Sequence, residues 1–186
     1  LELTYQCNHH CIFCSCPWEA TKDYKKNELS YKEWTTAVDT LLLHGVRSFT
    51  LTGGEPLVRE DTREIISYIS SQNAPVVLIS NGRNMDEDFL RFLSFHRVSL
   101  CISVPGIKSF ESHTGVDNIE HVLHLFDIAK DALEDERLFL IIDGIDEWSS
   151  FSSAQQAINR IETLRELYDC KVLYSSRPYG FKMLKD

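Results

Sequence analysis

The sequence has no long run of basic residues and no apolar run that approaches the length of a membrane span. Its 28 acidic and 19 basic residues give a formal net charge of -9. The electrostatic attraction to phosphates that drives nucleic-acid binding is therefore missing, and a membrane-spanning helix is not indicated. We expect neither nucleic acid nor a membrane among the partners of this chain.

The chain also lacks a signal-like segment and a Pro/Gly-rich linker, and it begins at Leu1 without an initiator methionine. The start at Leu1 suggests an excised domain. A chain of 186 residues with 43% hydrophobic composition can bury one full core, which predicts a single domain or one domain plus a fragment. A long, core-rich chain without a signal segment is not typical of disulfide-rich secreted proteins. We therefore expect a reducing, cytoplasmic location, where the six cysteines do not form a disulfide framework.

The sequence does contain a regular alternation of predicted strands and helices. Apolar runs predict strands at 1–5, 47–52, 75–80, 97–103, 138–143 and 171–176. Helical periodicity predicts a helix that follows a capping box of Ser30 and Glu33 and stops at Gly45, and further helices at 61–71, 86–94, 119–129 and 153–168. Strict alternation predicts a parallel sheet covered by helices, wound either into a barrel or into an open sheet. In both folds the chemistry lies in loops after the carboxyl ends of the strands.

Four cysteines lie in the loop after the first predicted strand, within the stretch CNHHCIFCSC. Cys7, Cys11 and Cys14 have the spacing CxxxCxxC. Three thiolates from one short loop can cap three irons of a four-iron cluster and leave the fourth iron open to a small molecule. A zinc site is the alternative, since His9 or His10 could supply a fourth ligand, although structural zinc sites usually have two separated ligand pairs.

The remaining cysteines and the two histidines have a less specific interpretation. One residue separates Cys16 from Cys14, so Cys16 is predicted to be a spectator and not a ligand. His9 and His10 are predicted to be solvated loop residues. Cys101 and Cys170 are predicted to be small buried hydrophobic residues.

A second signal, TGGEP at 52–56, follows the second predicted strand. Gly53 and Gly54 allow the backbone to approach a ligand closely, and Glu55 is a carboxylate suited to an ammonium group. Neighbouring parallel strands end at the same edge of a sheet. We therefore expect this loop to lie beside the cysteine loop.

These two motifs resemble those of the radical S-adenosylmethionine superfamily. The resemblance also includes Phe13 before the third cysteine, SNG at 80–82 and Ser103 at the end of a strand, and it covers about residues 1–130. It implies a partial (βα)6 TIM-like barrel and a [4Fe–4S] cluster on Cys7, Cys11 and Cys14. It also implies an enzyme that reductively cleaves S-adenosylmethionine to a 5'-deoxyadenosyl radical, which abstracts hydrogen from a substrate.

The resemblance implies roles for individual residues in binding S-adenosylmethionine. The methionine ammonium is assigned to Gly53, Gly54 and Glu55. The carboxylate or the ribose is assigned to Ser80, Asn81 and Ser103. The adenine is assigned to Phe13 and, on the fifth strand, to Gly144.

The implied partners are an electron donor such as flavodoxin or ferredoxin and an unidentified substrate, either a small molecule or a peptide. The sequence departs from the family pattern after Ser103, where Val104 and Pro105 stand in a neighbourhood in which many relatives carry an acidic residue. This departure bears on the assignment of Ser103 and not on the cysteines.

The last third carries a different resemblance. LFLIIDGIDE at 138–147 is similar to the Walker B strand of NACHT-type signalling NTPases, and Arg177 in VLYSSRP stands where that family has an arginine. Nucleotide hydrolysis of this kind needs a phosphate-binding loop, and the sequence has no GxxxxGK[ST] stretch. Residues 131–186 are expected either to complete the barrel of a radical SAM core domain over 1–186 or to be a NACHT-like segment. The alternative functions are therefore a fragment of a NACHT-type NTPase and a zinc-binding interaction module.

Overall fold

The computed structural model of the protein describes residues 1–12, 14, 28–105, 110–132, 139–142, 159 and 171–174. The helices are α1 (Tyr31–Leu43), α2 (Thr62–Ser71), α3 (Glu87–Phe95), α4 (Phe110–Thr114) and α5 (Ile119–Ala132). The strands are β1 (Phe49–Leu51), β2 (Val76–Ser80), β3 (Ser99–Ile102), β4 (Phe139–Ile142) and β5 (Lys171–Tyr174), and a 3-10 helix covers Pro56–Val58. Phe13, Cys16 and Gly144 lie outside the described residues, as does the helix predicted at 153–168 apart from Asn159, which is helical.

Three strands form one parallel sheet in the order β1-β2-β3. Each successive strand is added on the same side of the one before it, and the connections between them carry helices. This order is found in barrels and also in one half of a doubly wound open sheet, before its switch point. The predicted alternation is confirmed for these strands, each of which is one to three residues shorter than its apolar run.

The first predicted strand, at 1–5, lies where it was expected but is less regular. Only one bridge, between Glu2 and Thr52, has parallel ladder geometry. The Thr52 N–H donates to the carbonyl of Leu1 at 2.9 Å, and the Leu3 N–H donates to the carbonyl of Thr52 at 2.8 Å. The segment therefore extends the sheet beyond β1 at its edge.

Two of the helices begin at a residue whose side chain caps the first turn. The Ser30 side chain accepts from the Glu33 N–H, and the Glu33 carboxylate accepts from the Ser30 N–H, so the predicted capping box opens α1. The Asp86 side chain caps α3 by accepting from the Phe89 N–H. The short helix α4 was not predicted, because its five residues are too few to show a helical period.

The core of the unit formed by residues 1–132 is a row of leucines in register across the sheet. Leu51 pairs with Leu78, and Leu78 pairs with Leu100, and all three side chains are buried. Isoleucines of α2 and leucines of α3 are buried as well, namely Ile65, Ile66, Ile69, Leu90 and Leu93. This packing is the source of most of the stability of the unit.

Residues 133–186 form a second compact unit. In its described part, β4 and β5 pair in parallel, with Phe139 opposite Lys171 and Ile142 opposite Tyr174. These are the fifth and sixth predicted strands. Among the helices that the structure describes, none combines the length and the apolar character needed to cross a membrane.

Replacing Leu78 by Ala tests the central position of β2. Leu78 is fully buried, so the truncation should leave a cavity and lower the free energy of unfolding by about 2–5 kcal/mol. Leu43→Ala is the control, because Leu43 is 84% exposed and its loss should change the free energy by less than about 0.5 kcal/mol. Urea denaturation of both variants measures the difference, and equal effects would contradict the assignment of the core.

Candidate functional site

The loop after β1 and the cysteine loop lie side by side. The Gly54 N–H donates to the carbonyl of Thr4, and the Glu55 N–H donates to the carbonyl of Gln6, both at 2.7 Å. Cys7 follows Gln6 directly in the chain. The prediction that these two loops meet at one edge of the sheet is therefore confirmed.

The two glycines of this loop are required by close contact between backbones. A Cβ atom on Gly54 would lie 2.2 Å from the carbonyl oxygen of Gln6, and one on Gly53 would lie 2.3 Å from that of Thr4. Gly53 also has a φ of +140°, which favours glycine. The sequence predicted that the two glycines allow a ligand to approach the backbone closely. In the structure they allow the backbone of residues 4–6 to approach.

The carboxylate of Glu55 is buried and takes three hydrogen bonds from the chain itself. Its Oε1 accepts from the Ser80 hydroxyl at 2.8 Å and from the Leu57 N–H at 3.0 Å, and its Oε2 accepts from the Asn81 N–H at 2.7 Å. Burial raises the pKa of this carboxyl, and the three hydrogen bonds act in the opposite direction. Glu55 thus joins the carboxyl ends of β1 and β2.

The SNG stretch and Ser103 lie at the same edge of the sheet. Ser80 and Asn81 are 2% and 8% exposed, and the Ser80 hydroxyl, which donates to Glu55, also accepts from the Gly82 N–H. The Ser103 N–H donates to the carbonyl of Ser80 at 2.9 Å, and Ser103 itself is exposed. The structure thus gathers the predicted residues that it describes, but the side chains of Ser80 and Asn81 are engaged by protein groups.

Cys7 and Cys11 carry free thiols and are partly buried, and Cys14 is exposed. The backbone N–H of His9 donates to the Cys7 Sγ at 3.4 Å, and the Asn81 side chain contacts the same sulfur at 3.8 Å. These two donors face the Cys7 sulfur from different segments of the chain. Such donors stabilise negative charge on a thiolate.

The three thiols are close enough to influence one another electrostatically. Burial, and to a smaller extent the neighbouring Cys7 and Cys14, raise the pKa of Cys11 to about 11. The pKa of Cys7 is raised chiefly by burial and also by the charges of Glu55 and Cys14. Three thiolates in this loop therefore need positive charge to neutralise them, and a group containing several irons supplies it.

A single metal ion and a four-iron cluster place different demands on the ligands. Zinc draws four ligand atoms to within about 2.0–2.3 Å of one centre. Across the described ranges, no three His, Cys, Asp or Glu side chains converge on such a centre. Thiolates that cap different irons of a cube need not share such a centre, and the spacing of Cys7, Cys11 and Cys14 allows each thiolate to cap a separate iron.

The prediction for His9 is wrong, and that for His10 is confirmed. His10 is exposed, whereas His9 is 2% exposed and packs edge to face against Phe110. Burial lowers the pKa of His9, which favours the neutral ring. The unpredicted helix α4 is the cause, because it places Phe110 beneath the cysteine loop.

Sequence reasoning also missed the residues that fix the cysteine loop at its ends. The Arg59 guanidinium donates to the carbonyls of Leu3 and Leu29 at 3.0 and 3.1 Å, which lie on either side of the loop, and it pairs with Asp61 and Glu28. Its side chain is 10% exposed. An arginine in the loop after TGGEP gives no sequence signal for this role, since the two carbonyls that it binds lie 56 and 30 positions away in the chain.

Glu55→Ala tests the link between the ends of β1 and β2. The substitution leaves three donors without an acceptor, two of them buried, so the free energy of unfolding should fall by about 3 kcal/mol. Glu33→Ala is the control, because it removes a carboxylate that accepts from Ser30 at an exposed helix start, where water can replace it. Chemical denaturation compares the two, and a loss at Glu33 as large as at Glu55 would contradict this role.

Comparison with known protein families gives a match to the family model described as the Radical SAM superfamily over residues 1–149. This range contains the stretch at 138–147 that is similar to a NACHT Walker B strand. The NACHT resemblance is therefore not supported.

Curated relatives agree with the family match. The chain is 34% identical over 125 residues to a probable GTP 3',8-cyclase of Thermococcus kodakarensis, covering 66% of this chain and 40% of that protein. It is 36% identical over 110 residues to the sporulation killing factor maturation protein SkfB of Bacillus subtilis, covering 59% of this chain and 26% of that protein. The chain thus spans less than half the length of these relatives.

Solved structures agree with the fold. The structure of anSMEcpe with bound S-adenosylmethionine matches with a TM-score of 0.65 at 19% identity, covering 92% of this chain and 49% of that one. The structure of Streptococcus suis SuiB bound to S-adenosylmethionine matches with a TM-score of 0.60 at 14% identity, covering 98% and 48%. Both matches show the α/β fold with a parallel sheet that the sequence predicted.

The radical SAM superfamily takes its name from its use of S-adenosylmethionine, and its members carry a [4Fe–4S] cluster. The cysteine triplet, the adjacent Gly53–Glu55 bend and the parallel sheet that joins them are the features expected of such proteins. With a family match that covers residues 1–149, this chain belongs to the radical SAM superfamily.

Proposed function

We propose that this chain forms the cofactor-binding core of a radical SAM enzyme, with a [4Fe–4S] cluster held by Cys7, Cys11 and Cys14. When bound, the cluster and S-adenosylmethionine supply one-electron cleavage of a carbon–sulfur bond and a 5'-deoxyadenosyl radical that abstracts hydrogen from a substrate. The role of the protein is to hold the three thiolates, orient the cofactor and exclude water. Residues 131–186 are proposed to belong to the same domain.

One observation carries this proposal, namely the backbone pairing of Gly54 and Glu55 with Thr4 and Gln6. It places the bend after β1 next to the residue that precedes Cys7. A molecule bound at an iron held by the cysteine loop is then within reach of the Gly53–Glu55 bend. If the two loops lay at opposite edges of the sheet, one small cofactor could not contact both.

The hydrogen bonds refine the roles proposed for individual residues. Since the Glu55 carboxylate already accepts three donors, we assign the methionine ammonium to backbone carbonyls of Gly53 and Gly54, with Glu55 as the residue that positions them. Among the candidates for the carboxylate or ribose, we assign direct contact to Ser103, which is exposed. Ser80 supports this edge through its hydrogen bonds, and Phe13 and Gly144 stay proposed for the adenine.

The substrate class is proposed from the relatives, whose names include GTP 3',8-cyclases and enzymes that act on peptides. The proposed substrate is accordingly a nucleotide-like small molecule or a peptide. A flavodoxin or ferredoxin is the proposed electron donor. The cytoplasm is the proposed location, because a reducing compartment keeps the three thiols available for iron.

Anaerobic reconstitution with iron and sulfide tests the function. The purified chain should become brown, with broad absorbance near roughly 400 nm from thiolate-bound iron. Incubated with dithionite and S-adenosylmethionine, it should then form 5'-deoxyadenosine, which chromatography detects. A colourless protein that binds zinc stoichiometrically and forms no nucleoside would overturn the proposal.

Cys11→Ala and Cys16→Ala form a matched pair in one loop. Cys11→Ala should abolish the iron and sulfide content of the reconstituted protein, because two thiolates remain where three are needed. Cys16→Ala should leave the iron content and the absorbance unchanged. Loss of the cluster in the Cys16 variant with retention in the Cys11 variant would reassign the ligands.

A further inference from the structure

We propose that Asn81 is a positioning residue that orients the Cys7 sulfur and makes the cluster easier to reduce by donating an N–H···S hydrogen bond to it. This inference rests on the proposed function, since it concerns a cluster ligand. It replaces the role in binding the carboxylate or ribose of S-adenosylmethionine that resemblance implies for Asn81.

The amide nitrogen of Asn81 faces two groups of the cysteine loop. Its Nδ2 donates to the Asn8 Oδ1 at 2.7 Å and lies 3.8 Å from the Cys7 Sγ. A primary amide has two N–H groups, so one can serve each partner. The donor comes from the end of β2, and the acceptor comes from the loop before α1, so the contact joins two elements that are 74 residues apart.

The orientation of this amide is fixed by the groups around it. The Asn81 Oδ1 accepts from the Arg83 N–H at 3.0 Å, which distinguishes the oxygen from the nitrogen and directs the nitrogen to the cysteine loop. Asn8 is held in turn, since its Nδ2 donates to the Asn84 Oδ1 at 3.0 Å and its carbonyl accepts from the Arg83 guanidinium. The Asn81 side chain, 8% exposed, therefore has a single arrangement that satisfies all its polar atoms.

These contacts leave the Asn81 amide little capacity for a further ligand. The oxygen has a backbone donor, and both N–H groups have protein partners within reach. An amide that held the carboxylate or ribose of a cofactor would have to release Asn8 or Cys7 first. Its geometry therefore favours the sulfur, which it meets without rearrangement.

Hydrogen bonds to thiolate ligands change the reduction potential of a cluster. A reduced cluster carries one more negative charge than the oxidised form, and an N–H dipole aimed at a ligand sulfur stabilises that charge. Cys7 also accepts from the backbone N–H of His9 at 3.4 Å, a contact that side-chain substitutions at position 81 leave in place. Removal of the Asn81 amide should therefore shift the midpoint potential to a more negative value without removing every donor.

The test is a redox titration of reconstituted protein, followed by electron paramagnetic resonance in the absence of S-adenosylmethionine. Asn81→Ala should retain the cluster and show a more negative midpoint potential than the wild type. Asn84→Ala is the matched control, because Asn84 also bonds Asn8 but donates its own amide to the carbonyl of Leu57. Its midpoint potential should equal that of the wild type.

A second pair separates the lost hydrogen bond from a general effect of charge. Asn81→Asp keeps an oxygen for the Arg83 N–H and replaces the donor by an acceptor, so its potential should fall below that of the Ala variant. Asn84→Asp adds the same charge three residues further along the chain and should cause a smaller shift of the midpoint potential. If both Asn81 variants lose iron while both Asn84 variants retain it, Asn81 is needed to position Cys7, and the positioning role is supported.

The opposite results are distinct from a failure of the proposed function. A wild-type protein that forms no cluster overturns the proposed function, and this inference with it. A wild type and an Asn81→Ala variant with equal potentials and equal iron content overturn this inference alone. The same holds if Asn81→Ala keeps its potential but binds S-adenosylmethionine more weakly, because Asn81 would then contact the cofactor directly.

Discussion

The site depends on the close parallel pairing of residues 1–6 with residues 50–55. Its hydrogen bonds from Gly54 and Glu55 to Thr4 and Gln6 are possible only because positions 53 and 54 lack a Cβ atom. A methyl group at either position would lie within 2.3 Å of a carbonyl oxygen. The pairing fixes the start of the cysteine loop relative to the sheet, and all other contacts of the site build on that placement.

Two charged side chains, one buried and one partly buried, extend this constraint in different directions. Glu55 binds donors at the end of β2, so the ends of β1 and β2 form one hydrogen-bonded edge. Arg59 binds backbone carbonyls on both sides of the cysteine loop, so the loop is closed where it leaves and rejoins the fold. Neither side chain needs to touch a cofactor to act in this way. Both keep the thiols of a short, partly exposed loop in a defined place.

The arrangement also separates the residues that hold the site from those that face outward from it. Glu55, Ser80 and Asn81 are buried and bonded to one another or to the cysteine loop. Cys14 and Ser103 are exposed at the same region of the fold. A preorganised site needs such a supporting layer, because ligands on a loop without it lose precise geometry. The motif residues of this chain thus include both buried supporting residues and exposed residues. A motif by itself does not show to which of these two groups a residue belongs.

The amino-acid sequence determined the alternation of strands and helices, the capping box of Ser30 and Glu33 and the spacing of Cys7, Cys11 and Cys14, because these are local patterns. It also predicted that TGGEP meets the cysteine loop, since parallel strands end at a common edge. Only the tertiary structure decided that the Glu55 carboxylate points to Ser80 and Asn81, that α4 covers His9 and that Arg59 closes the loop. The partners in those contacts lie 25 to 101 positions apart in the chain. Pairings at such separations depend on how the helices and strands pack, and no local sequence pattern predicts them.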